Sequence, residues 1–105
     1  MASSKAYLDY VLEQLSEIDG IRYRYMMGEY VLYFRGKVFG GIYDDRFLVK
    51  ITPSGLKTMP EAGKDLPYEG AKPMLCVTEI DDREFLKRLI ETMYDELPTT
   101  KKVHN

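Results

Sequence analysis

The sequence has no tryptophan, one cysteine and one histidine. A single thiol, Cys76, cannot close an internal disulfide and fits a reducing compartment. One cysteine and one histidine cannot build a structural zinc site, and neither a metal nor a cofactor is expected. Cys76 stands between Leu75 and Val77, where a thiol packs as a small hydrophobe, and His104 lies close to the C-terminus. A nucleophile paired with a base is therefore missing, and no catalytic residue is assigned. No apolar run approaches the roughly 18–20 residues that span a bilayer. The opening MASSKAYLDY lacks the apolar stretch of a secretory signal. A surplus of positive charge is missing too: 15 basic residues face 17 acidic ones, a net −2, which excludes attachment to nucleic acid by bulk charge. What is there is 105 residues, 45% hydrophobic and 30% charged, the makeup of one cytoplasmic α+β domain that is not an enzyme.

Residues 4–18 carry Leu8, Val11, Leu12, Leu15 and Ile18 at three- and four-residue spacing, which predicts an amphipathic helix. Ser3 or Ser4 caps its start and Asp19-Gly20 ends it. From Ile21 the period changes to one rich in aromatic and β-branched residues. Four strands are expected, over 21–27, 29–35, 37–43 and 46–51, broken at Gly28, Arg35-Gly36 and Asp44-Asp45. The breaks are short, so neighbouring strands pair antiparallel in a meander. Alternation puts Tyr30, Leu32 and Phe34 on one face and Val31, Tyr33 and Arg35 on the other.

Residues 52–72 read as an excursion from the sheet, with a short helix from Thr52 to Met59 and then a surface loop punctuated by Pro60, Gly63, Pro67 and Gly70. A fifth strand follows over 73–78, and a second helix over 81–97 with Asp81 as its cap and Phe85, Leu86, Leu89, Ile90, Met93 and Leu97 as its apolar stripe. The architecture expected is a five-stranded antiparallel sheet with the N- and C-terminal helices on one face, forming a domain over 1–98, with 99–105 a disordered polar tail. The other sheet face must meet water, the 52–72 loop or a second copy of the chain, and a homodimer is expected.

Several clusters invite a chemical reading. Asp44-Asp45 and Asp81-Asp82 suit a cation site but suit a hairpin turn and a helix start better. Gly40-Gly41 lies mid-strand, where a bulge or the close approach of a packed helix explains it better than a phosphate loop. Arg22-Tyr23-Arg24-Tyr25 is the best nucleic-acid candidate, extended by Arg35, Lys37 and Lys50. Yet alternation places both arginines on one face and both tyrosines on the other, whereas base stacking wants them together. Arg22, Arg24, Arg35 and Lys37 are thus carried as a candidate interaction surface, with direct nucleic-acid binding the alternative rather than the leading reading. A further alternative is a small-molecule sensor or enzyme with a pocket under the 52–72 loop, lined by Lys64, Tyr68 and Lys72.

The stretch Met26–Asp45, MMGEYVLYFRGKVFGGIYDD, followed by Arg46–Lys50, resembles the signature of the TfoX/Sxy N-terminal domain family. Pro67-Tyr68, Pro73-Met74 and the helix from Asp81 extend the likeness over nearly the whole chain. Met27-Gly28-Glu29 departs from it, since many members carry an aromatic residue and paired glycines there. The resemblance implies an antiparallel sheet with its helices on one side. It also implies a regulatory role without catalytic residues: longer members act in natural competence as transcriptional co-activators with the cyclic-AMP receptor protein. Those members add a C-terminal helical domain, for which 105 residues leave no room. The function expected is a small binding module, a transcriptional regulator or adaptor working through a protein partner, with the transcription machinery as the candidate, and not through a membrane.

Overall fold

Three two-residue hairpins organise the first half of the chain in the computed structural model, which describes residues 3–98. They join β1 (Ile21–Met26), β2 (Glu29–Phe34), β3 (Lys37–Ile42) and β4 (Phe47–Val49) into the meander expected. The turn pairs are Met27-Gly28, Arg35-Gly36 and Asp44-Asp45, and all six residues have positive φ. That is the backbone of type I′ turns, whose twist matches the strands they join. The sheet order is β1-β2-β3-β4-β6-β5, with every pairing antiparallel.

The sheet has six strands rather than the five expected. β6 (Met74–Cys76) is the predicted returning strand, while β5 (Lys64–Asp65) forms inside the predicted loop. Two residues are too few to show a period-two pattern. What makes β5 a strand is main-chain pairing, Lys64 opposite Leu75 and Asp65 opposite Met74. Arg46 fixes its outer end with an ion pair to Asp65 at 3.0 Å.

The helix α1 (Lys5–Gln14) starts at Ser4, whose hydroxyl accepts from the Tyr7 amide. It is shorter than its apolar stripe, and Leu15 and Ile18 stay buried in the turns that follow. The short helix α2 (Pro53–Thr58) is capped by the buried Thr52. The last helix, α3 (Arg83–Met93), continues as a 3₁₀ turn over Tyr94–Glu96. Its cap is Asp82, not the expected Asp81: the Asp82 carboxylate accepts from the Phe85 amide at 3.0 Å, and the helix begins one residue later to suit.

Leu8, Val11 and Leu15 pack with Leu86, Leu89, Ile90 and Met93 against Leu32, Phe34, Phe39, Phe47 and Leu75 in one core. This is one sheet face carrying the helices, as a two-layer α+β domain requires. Truncating any of these side chains to alanine carries the usual cavity cost of about 2–5 kcal/mol. Arg83 joins the two long helices by reaching Gln14 and Glu13 at 3.2 Å each. Among the described residues, no helix is long and apolar enough to cross a membrane. The predicted tail over 99–105, with His104, lies outside the described residues.

Candidate interaction surface

The second face of the sheet is only partly covered. Cross-strand pairing places Arg24, Val31, Gly41 and Leu48 in one row of that face, and Arg22, Tyr33 and Val38 in the next. Tyr43 follows Gly41 by two residues and lies over it: a Cβ on Gly41 would stand 2.6 Å from the Tyr43 ring. Gly41 therefore makes room both for the paired strand, whose Tyr30 carbonyl oxygen would stand 2.5 Å from that Cβ, and for an aromatic side chain. Gly40 makes room for the neighbouring strand, since a Cβ there would stand 2.2 Å from the Leu48 carbonyl oxygen. The close approach expected at Gly40-Gly41 is thus to a strand and a tyrosine, not to a helix. A register shift at Leu32/Tyr33 puts Phe39 opposite no partner, which is the bulge the glycines also suggested.

Chain 67–73 returns across this face. Tyr68 meets Tyr43, with ring centroids 6.4 Å apart. The pair divides two clefts. One, of about 680 Å³, is lined by Met26, Met27, Val31, Tyr43 and Tyr68. The other, of about 610 Å³, is lined by Val38, Tyr43, Lys50, Tyr68, Lys72 and Met74 among others. Tyr68 is 63% exposed and Met27 94%. Burial pushes the Tyr43 hydroxyl above its ordinary pKa, with the nearby Tyr68 adding to it, so Tyr43 is a neutral donor at physiological pH.

The candidate residues taken from sequence are spread over the molecule. Arg22 and Arg24 are exposed on the open face, on the edge strand β1. Arg35 is at a hairpin tip, its guanidinium 5.0 Å from the centre of the Phe34 ring. Lys37 is on the helix face: its ammonium donates to the Tyr94 carbonyl at 3.1 Å and sits 4.2 Å from the centre of that ring, clipping β3 to the end of α3. The structure brings Arg22 and Arg24 together and leaves Arg35 and Lys37 apart from them. Tyr23 and Tyr25 lie on the opposite face from the arginines, as alternation demands, and flank Tyr30 there at 5.9 and 5.2 Å. Of the loop residues singled out, Tyr68 and Lys72 line a cleft, whereas Lys64 belongs to β5. Lys50, read from sequence only as an extension of the basic patch and not as a cleft residue, takes its place. Its signal was its position, alternating with the buried Val49 at the end of β4.

Other candidates have structural occupations. Asp44 and Asp45 form a turn, with the Asp45 carboxylate accepting from the Ser4 amide at 2.8 Å. No cluster of three potential metal ligands exists among the described residues. Burial and the Asp65 carboxylate push the Cys76 thiol above its ordinary pKa, so it is held protonated rather than activated.

A six-stranded antiparallel sheet, helices on one face and an aromatic, partly open second face define a small two-layer α+β domain. Residues 13–96 match the TfoX N-terminal domain family, and the chain belongs to it. It is 39% identical over 104 residues to the "uncharacterized 12.7 kDa protein in trpE 5′ region" of Spirochaeta aurantia, a match covering 96% of this chain and 89% of that protein. No solved structure matches.

Proposed function

We propose that this TfoX-type domain is a non-catalytic cytoplasmic binding module, a regulator or adaptor that works through protein contacts made by the open sheet face. One observation carries the reading: Met27 is 94% exposed at a hairpin tip, with φ +53, beside a cleft lined by methionine and tyrosine. An apolar, unbranched side chain gains nothing from water there, and a left-handed backbone favours Gly, Asn or Asp. Methionine and tyrosine are the side chains that protein interfaces enrich, the first adaptable and the second rigid. The transcription machinery is the class of partner that the family resemblance favours.

Photo-crosslinking in cells tests this. A benzophenone amino acid at position 27 is expected to give one defined adduct with a second protein, and the same group at Lys57, on α2, is expected to give none. An adduct with another copy of this chain alone replaces the adaptor by a homodimer. Absence of any adduct from position 27 overturns the reading.

A further inference from the structure

The cleft beyond the tyrosine pair has a different chemistry from the one beside Met27. Its floor and walls are apolar, from Val38, Ile51, Pro67 and Met74, and its charged residues are two lysines, Lys50 and Lys72. Neither ammonium has an ion pair or hydrogen bond among the described residues. Elsewhere Lys5, Arg46 and Arg83 have carboxylate partners, while exposed cations such as Arg22, Arg24, Lys57 and Lys87 have no ion pair among the described residues either. What distinguishes Lys50 and Lys72 is that they share one apolar cleft. Lys50 is half-buried and Lys72 exposed at the rim. The two like charges repel each other across the cleft, and an anion between them removes that cost. The volume, about 610 Å³, falls in the range of small-molecule sites.

We infer that the cleft of Lys50, Lys72, Tyr43 and Tyr68 is a binding site for a small organic anion, a carboxylate or phosphate carried on an apolar, ring-sized body. The lysines take the anionic group as charge-assisted donors. The tyrosine rings and Val38 take the body. Burial, and then the Lys72 charge, lower the Lys50 pKa, and an anion bound beside both ammoniums would act against that shift. Tyr43 and Tyr68 also line the cleft beside Met27, so an occupant here touches the wall of the proposed docking surface. The inference does not depend on that docking: it concerns a ligand at Lys50 and Lys72, and it is read without any protein partner.

The test is an amide chemical-shift titration of the full chain with phenyl phosphate and benzoate, alongside inorganic phosphate, benzyl alcohol and a blocked aspartyl tripeptide. Phenyl phosphate or benzoate is expected to move the amides of Lys50, Ile51, Tyr68 and Lys72. Inorganic phosphate moves the same amides more weakly, and benzyl alcohol leaves them in place. Lys50→Gln with Lys72→Gln lowers the affinity about tenfold or more, as loss of charge-assisted bonds requires. Lys50→Arg with Lys72→Arg retains it, and an otherwise unchanged spectrum shows that both variants fold. Three results overturn the inference: no shifts at millimolar probe, shifts centred on Arg22 and Arg24 or indifferent to the glutamine pair, and a peptide that binds as well as phenyl phosphate.

Discussion

The Ser3 hydroxyl donates to Glu29 Oε1 at 2.6 Å, and this contact ties the chain ahead of α1 to the start of β2. The same oxygen accepts from the Ser3 amide at 3.2 Å and from the Asp44 amide at 3.3 Å, while Ser3 Oγ accepts from the Asp45 amide at 3.0 Å. One carboxylate thus serves the N-terminal segment and the β3–β4 turn together. Ser3 is buried, so its donors have little access to water once Glu29 is gone. Glu29→Ala is expected to lose about 1–3 kcal/mol in urea unfolding, the usual cost of stranding such groups. Glu29→Gln keeps an acceptor and loses less. An unchanged midpoint for the alanine variant shows that the tie contributes nothing.

Gly40 is the position where the meander is least forgiving. A Cβ there would stand 2.2 Å from the Leu48 carbonyl oxygen and 2.9 Å from Val49 Cα, both backbone atoms of the paired strand. Backbone cannot swing away as a side chain can. Gly40→Ala is expected to cost at least the roughly 1–3 kcal/mol of an overpacked core. Amide exchange at Val49 and Lys50 is expected to accelerate with it. A variant as stable as the parent shows that β4 shifts freely, against the tight pairing described.

These cases mark what the residues disclosed in advance. The three hairpins were legible because Gly28, Arg35-Gly36 and Asp44-Asp45 break an aromatic, β-branched run, and the helix stripes because Leu8, Val11 and Leu15 or Leu86, Leu89 and Met93 recur at helical spacing. β5 was not, since Lys64-Asp65 carries no pattern and is held by backbone pairing to Leu75 and Met74 on β6. The cleft residues were legible only in part. Tyr68 and Lys72 stand in a loop, where attention naturally falls, but Lys50 joins them through sheet alternation and the return of chain 67–73 across the open face. That return is a tertiary event with no local signature. Lys37 shows the converse: a basic residue beside a hairpin suggests a charged patch, and only packing reveals its carbonyl partner at Tyr94.

Met27 separates stability from contact. Asparagine tolerates the left-handed backbone better than methionine, and the side chain of Met27 is almost wholly in water. Met27→Asn is expected to raise stability by up to about 1 kcal/mol while weakening the proposed protein contact. Thermal unfolding reads the first and the crosslinking experiment, repeated in competition with the untagged variant, reads the second. A variant that competes as well as the parent removes Met27 from the docking surface.

The carboxyl of Glu96 gives the fold a defined acid response. Its Oε1 accepts from the Ser54 amide at 3.0 Å and from the Ser54 hydroxyl at 2.8 Å, joining the end of α3 to the first turn of α2. The backbone bond, then the hydroxyl bond, hold the carboxyl below its ordinary pKa. A carboxyl whose pKa is lower folded than unfolded stabilises the fold above its unfolded value, about 4.3. That contribution disappears as the pH falls through the lower, folded value. Glu96→Gln is therefore expected to melt below the parent at pH 7, with the gap closing as the pH drops beneath the ordinary carboxylate range. Ser54→Ala removes the hydroxyl donor and is expected to narrow the same pH-dependent gap without abolishing it, because the amide bond remains. Parallel melting curves for Glu96→Gln and parent across the whole acid range contradict this account, since a loss independent of pH comes from shape and not from charge.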